Sequence, residues 1–157
     1  MADEKQMKSA RVMYDTLVKM LDENEWKYEK NEEKLVVHFL VQGEDIPMDF
    51  VLAIDPDRYL IRILSRLPFK FGEEERVAGA IVTGQINYKL AIGSFEYDFS
   101  DGEVTFKVTS SYRDSLISKE LFNYLIQLSC YTVDKYNDQL LLVAKGMLSV
   151  DDFIAKL

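Results

Sequence analysis

The sequence predicts an α+β fold. The expected architecture is a twisted antiparallel sheet of about five strands with helices packed on it, in the order α-β-β-β-α-β-β-α(α). Three observations carry this expectation. Gln85–Thr109 reads as a helix end, a glycine, a strand, a tight turn and a second strand. Met48–Leu64 reads as another folded-back ribbon, and both ends of the chain carry apolar residues at helical spacing. Antiparallel hairpins with helices gathered on them belong to α+β rather than to a parallel βαβ design.

The first helix is expected from about Asp3 to Glu23, where Val12/Met13, Leu17, Met20 and Leu21 recur at helical spacing among charged residues. Trp26 and Tyr28 alternate with Lys27 and Glu29, a short extended stretch, and Asn31-Glu32-Glu33 reads as a turn. Leu35–Val41 is apolar on both faces, as in a central strand or one whose second face is covered. Met48, Phe50, Leu52 and Ile54 then share one side of a strand, Asp55-Pro56-Asp57-Arg58 turns, and Tyr59, Ile61 and Ile63 return. The simplest register sets Ile54 against Tyr59 and Leu52 against Ile61. Leu67-Pro68-Phe69 is expected to end that strand.

Gly72 and Glu73–Glu75 open the next helix, where carboxylates suit the positive end of the dipole. Val77, Ile81, Gly84 and Tyr88 fall on one face, and Gly79 and Gly84 read as points of close approach. Gly93 stops the helix. In the hairpin that follows, Phe95, Tyr97 and Phe99 alternate with polar residues, as do Val104, Phe106 and Val108. Asp101-Gly102 reads as a two-residue type I′ turn. That turn places Phe99 opposite Val104, Tyr97 opposite Phe106 and Phe95 opposite Val108, with Glu96 meeting Lys107 on the other face. Ser110–Asp114 is a polar link. Ser118 caps a helix from Lys119 to about Lys145, roughly 40 Å long at about 1.5 Å per residue, with Leu121, Leu125, Leu128, Thr132, Tyr136 and Leu140 on its apolar face. Ser149 starts a final amphipathic turn or two with Val150, Phe153, Ile154 and Leu157. The chain is expected to be one domain, 1–157, with 148–157 as a C-terminal helical extension.

Composition narrows the function. The chain has 157 residues, is 48% hydrophobic and 29% charged, and carries a formal net charge of -8. An acidic chain is a poor partner for phosphate backbones or an anionic membrane surface. One cysteine allows no intrachain disulfide, and one histidine with one cysteine allows no Cys/His zinc site within the chain. The start MADEKQMKSARV lacks an apolar signal core, and no apolar run reaches membrane-span length. A cytoplasmic setting is the expectation, without nucleic acid or membrane as partner.

The order of elements and the segment Ile86-Asn87-Tyr88-x-Leu90-x-x-Gly93-x-Phe95-Glu96, followed by Asp101-Gly102-Glu103-Val104-x-Phe106, resemble the YbjN family, whose members are labelled bacterial sensory transduction regulators. Pro56-x-x-x-Leu60 upstream fits as well. The likeness spans roughly residues 20 to 145. It implies a fold like that of type III secretion chaperones, which are small, acidic, cytoplasmic and dimeric and hold partner proteins in extended form.

No residue pattern points to catalysis, a cofactor or a metal. His38 lacks a neighbouring nucleophile pattern and reads as a hydrogen-bonded residue beside Val36 and Leu40. Cys130 lies mid-helix, away from the cationic setting a reactive thiolate needs. Gly79–Gly84 lacks the lysine of a phosphate loop, and Asp49, Asp55 and Asp57 lack calcium-loop spacing. The two-sided apolarity of Val36/Leu40 and Val51/Leu60/Leu64, with His38, marks a sheet surface for a protein or peptide partner or a second subunit. Tyr124 and Tyr131 on the long helix are further interface candidates. The leading expectation is a non-enzymatic chaperone-like or adaptor protein, a homodimer. The alternative is a small-molecule sensor with a pocket lined by Tyr88, Phe95, Tyr97 and Tyr124. The third is an enzyme using Asp49, Asp55 and Asp57.

Overall fold

Asp3 sets the start of the first helix. Its carboxylate accepts the Gln6 amide at 2.8 Å, and the Gln6 side chain accepts the Asp3 amide at 2.8 Å, so two donors orphaned by the helix start are satisfied reciprocally. The computed structural model describes Met1–Leu157. It runs α1 (Glu4–Glu23), β1 (Glu29–Asn31), β2 (Val36–Val41), β3 (Met48–Asp55), β4 (Leu60–Lys70), a single 3₁₀ turn (Glu73–Glu75), α2 (Arg76–Lys89), β5 (Ser94–Asp98), β6 (Glu103–Ser111), α3 (Lys119–Ala144) and α4 (Val150–Ala155). The strands form one six-stranded sheet in the order β1-β2-β3-β4-β6-β5, with every pair antiparallel. After β4 the chain leaves through α2, returns at the edge as β5, and β6 fills the place between β5 and β4.

One side of the sheet is buried along every long strand. Val37 and Phe39, Phe50, Leu52 and Ile54, Ile61 and Ile63, Val104, Phe106 and Val108 are each at most 3% exposed. The helices cover that side, and 33 apolar residues form one core. Phe95 meets Phe106 at 4.9 Å and Tyr136 of α3 at 6.0 Å between ring centroids. Phe153 of α4 is fully buried, so the segment 148–157 packs into the same core. α3 is a continuous helix of 26 residues.

The α+β class holds, and several details differ from expectation. β1 adds a strand, and its three residues are all exposed. Both hairpin registers are displaced by two residues. Asp98 pairs with Glu103, Tyr97 with Val104 and Phe95 with Phe106, while Ile54 pairs with Ile61 and Leu52 with Ile63. Longer loops are the cause. In the second hairpin the Asp98 carboxylate accepts from Ser100 N at 2.8 Å, Asp101 accepts from Glu103 N at 2.9 Å, and Gly102 N reaches Asp98 O at 2.7 Å. Only Gly102 there has positive φ, whereas a type I′ turn needs two such residues. Phe99 is thereby pushed into the loop and is 57% exposed. A displacement of two leaves every side chain on its intended face, and Lys107 still pairs with Glu96, now diagonally.

β4 runs on through Pro68 to Lys70, with a register irregularity between Arg66 and Lys70 that absorbs the missing amide donor. On α2 the buried residues are Gly79, Val82, Thr83 and Ile86. Val77, Ile81 and Tyr88, the face read from the sequence, are 60%, 43% and 88% exposed. Close approach selects this face: a Cβ on Gly79 would lie 2.6 Å from the Tyr97 hydroxyl and 2.8 Å from Phe71, whereas Gly84 faces open space. Tyr112, within the expected polar link, is fully buried and donates to Asp55 O at 3.0 Å.

Candidate functional site: the open face of the sheet

Strand alternation that buries one face must display the other. Here nothing packs over the second face. β2 contributes Val36, His38 and Leu40; β3 contributes Asp49, Val51, Ala53 and Asp55; β4 contributes Leu60, Arg62, Leu64 and Arg66. Direct cross-strand pairs join Glu29 to His38, His38 to Val51, Val51 to Leu64 and Leu64 to Lys107, one row across five strands. A neighbouring row joins Val36, Ala53, Arg62 and Thr109. The six sheet residues singled out from the sequence therefore share one surface. Val36, Val51, Leu60 and Leu64 are half-buried by their neighbours, and Leu40 is 70% exposed.

Charge borders this apolar strip. Arg62 pairs with Asp55 at 3.2 Å, Arg66 with Glu103 at 3.0 Å, and Lys107 with Glu96. His38 sits between two carboxylates, its Nε2 against Asp49 and its Nδ1 3.9 Å from Glu29. A shallow hollow of about 270 Å³ lies among Asp49, Val51, Leu64, Arg66 and Thr105. A second, of about 390 Å³, lies at the β1 edge among Tyr28, Glu29, His38 and Leu40. Both hollows are open to solvent rather than enclosed.

Tyr124 and Tyr131 are elsewhere. They stand on the outer side of α3, 52% and 68% exposed, beside an open hollow shared with Glu120, Asn123, Gln127 and Leu128. The helices cover the sheet's buried face, so this is a second surface, separate from the open sheet face. The pocket of the small-molecule alternative does not form: Phe95 is 1% exposed in the core, Tyr88 is 88% exposed, and Tyr97 borders a hollow with Phe99 and Glu103. The carboxylate trio does not form either. Asp49 and Asp55 are six residues apart on one strand, about 20 Å at 3.3–3.4 Å per residue. Asp55 is held by Arg62 and Arg58 N, and Asp57 lies in the loop near the amino terminus. No group of three or more His, Cys, Asp or Glu side chains is disposed to hold a metal ion. Burial pushes the Cys130 thiol up to about 12, so the thiolate is scarce at neutral pH.

The contacts of three further residues were not readable from the sequence. Ala53 lowers the surface between Val36 and Arg62, Arg62 crosses to Asp55, and Asp49 meets His38 across β2 and β3. Period-two alternation placed all three on this face; only the cross-strand register says which of them touch.

No protein-family model and no curated protein matches the chain. Solved structures do. YbjN from E. coli superposes with a TM-score of 0.62 at 13% identity, over 85% of this chain and 92% of that one. A chain of the ExsC–ExsE complex gives 0.61 at 12% identity, over 84% and 95%. A chain of the HopA1–SchA chaperone–effector complex gives 0.57 at 11% identity, over 82% and 96%. The chain thus has the YbjN-like, type III secretion chaperone-like fold that the resemblance implied. No helix is long and apolar enough to cross a membrane.

Proposed function

We propose that this protein is a non-enzymatic, chaperone-like adaptor of YbjN-like type that holds a segment of a partner protein on the open face of its sheet. One observation carries the reading: Val36, Leu40, Val51, Leu60 and Leu64 stand on one open sheet face, with Val51 paired directly to Leu64 and with His38, Ala53 and Arg62 between the others. Apolar surface gathered in one patch and rimmed by polar groups marks a protein contact rather than chance exposure. The likeness to chains found in the ExsC–ExsE and HopA1–SchA complexes supports the same reading, the second of these being described as chaperone and effector. A cytoplasmic setting accords with the acidic chain and its single half-buried, unpaired thiol.

The reading includes a homodimer. Val77, Ile81 and Tyr88 form an exposed apolar row on α2, and the space over Gly84 leaves room for close approach by a second copy. Light scattering then gives twice the 18.2 kDa chain mass, and Ile81→Asp returns the monomer.

The binding role is tested by using the folded protein as bait in extract from its native cell, beside Leu64→Asp and Val51→Asp variants shown by thermal unfolding to be folded. The reading expects a discrete protein held by the wild type and lost from both variants. Equal capture by all three overturns it.

A further inference from the structure

We propose that the segment taken by the open sheet face is basic as well as apolar: an extended polypeptide whose Val- or Leu-like side chains cover Val51 and Leu64 while Lys or Arg side chains settle against Asp49 and Glu29. This rests on the reading above and adds the chemistry of the partner.

The charges bordering the strip are unequally satisfied. The three cations of β4 and β6 on this face each have a carboxylate from their own chain: Arg62 has Asp55, Arg66 has Glu103, and Lys107 has Glu96; Lys27, at the β1 edge beside Glu29, has none. Asp49 and Glu29 have no lysine or arginine. They share only His38, whose imidazole, when neutral, carries one N–H and can donate to one of them at a time. Their side chains are 58% and 90% exposed. Both stand beside apolar surface: Asp49 borders the hollow with Val51 and Leu64, and Glu29 borders the hollow with Tyr28 and Leu40. In the hollow over Val51 and Leu64 an acidic segment would find only Arg66, already paired with Glu103, and would oppose Asp49, a like charge that penalises the contact. A basic segment meets two carboxylates that have no lysine or arginine, Asp49 against the His38 imidazole and the more exposed Glu29.

Period-two geometry suits this occupant. An extended chain presents every second side chain to the sheet at about 6.6–6.8 Å, so cationic residues flanking apolar ones reach the border while the apolar ones lie on the strip. The formal net charge of -8 attracts a basic chain from a distance and repels an acidic one.

Three labelled peptides test the inference by fluorescence anisotropy: Lys-Val-Lys-Leu-Lys-Val-Lys, its Ser-substituted neutral counterpart and its Glu-substituted acidic counterpart. The basic peptide is expected to bind at least about tenfold more tightly than the neutral one, and its affinity to fall as salt rises from about 50 to about 500 mM. Glu29→Gln with Asp49→Asn is expected to weaken the basic peptide by about three- to tenfold and to leave the neutral one unchanged. Leu64→Asp is expected to reduce binding of the neutral peptide. Neutral and basic peptides of equal affinity, with Leu64→Asp still destructive, would overturn the charge preference and leave the docking surface standing. Indifference to Leu64→Asp, or no binding of any peptide, would count against the surface itself. Preference for the acidic peptide, or a double variant that binds the basic one undiminished, would also overturn the inference.

Discussion

Asn87 and Phe95 are joined by two hydrogen bonds: the Asn87 side-chain nitrogen donates to Phe95 O at 2.9 Å, and its oxygen accepts Phe95 N–H at 2.7 Å. Phe95 belongs to β5, the outermost strand on its side of the sheet. An open edge offers unpaired donors and acceptors to any passing strand, and here a side-chain amide at the end of α2 takes the place of a further strand. Asn87→Ala leaves both backbone groups unpaired in a half-buried site, so the expected loss is about 1–3 kcal/mol of stability, read from urea unfolding. Asn87→Asp should be no better, because it keeps the acceptor but sets a carboxylate against the Phe95 carbonyl. A loss below about 0.5 kcal/mol for Asn87→Ala would show that water replaces the amide without penalty.

Gly102 and Gly84 should respond to alanine with opposite sign. At Gly102, φ is +78° and a Cβ would lie 1.9 Å from Phe71 O. At Gly84 nothing lies within 4 Å, and the position is helical. Gly102→Ala is expected to cost at least about 2 kcal/mol, and Gly84→Ala to gain up to about 1 kcal/mol. Paired thermal melts of the two variants decide this, and equal shifts would contradict it.

Tyr112 and Tyr28 tie stability to alkaline pH. Burial first, then the negative charge of Asp55, raises the Tyr112 hydroxyl from 10.0 to about 12. Burial and the hydrogen bond to Asp22 raise Tyr28 by the same amount. Above pH 10 the unfolded chain loses these protons while the folded chain keeps them, so stability falls as pH rises from 10 toward about 12. Below pH 10 the contribution is fully present. Tyr112→Phe should lower stability near neutral pH, because it removes the bond to Asp55 O, and should flatten the alkaline decline. Parallel declines in variant and wild type would contradict the assignment.

Cys130 should resist thiol reagents in the folded protein. Its thiol is raised to about 12 by burial, and the thiolate is the reacting form. Labelling at pH 8 should be slow in buffer and complete in urea. Equal rates would show that α3 opens locally far more often than its packing allows.

These residues also show what the sequence could and could not reveal. Alternation identified the buried face of β3, β4 and β6, because an apolar residue at every second position has one way to lie on a sheet, whereas β2, apolar on both faces, did not declare which one is covered. Register was less legible, since the Asp side chains in both loops capture backbone amides and extend each loop to four residues, Pro56–Tyr59 and Phe99–Gly102. β1 was invisible as a strand because neither of its faces is buried. On α2 two stripes competed, and the more apolar one faces solvent. The buried stripe contains Gly79, whose missing side chain lets Phe71 and Tyr97 approach, and Thr83, whose hydroxyl donates back to Gly79 O at 2.8 Å. The candidate site followed the same division. Val36, His38, Leu40, Val51, Leu60 and Leu64 come together because they share a strand parity, whereas Tyr124 and Tyr131 share a helix face that the fold turns away from the sheet.

Site-directed photo-crosslinking in the native cell tests the central claim most directly, with a benzophenone amino acid placed at Leu40, at Leu64, and at exposed Asp15 of α1 as reference. A partner held on the open sheet face gives one discrete higher-mass adduct from Leu40 and Leu64 and none from Asp15. No adduct from either sheet position, or the same adducts from Asp15, would contradict the account.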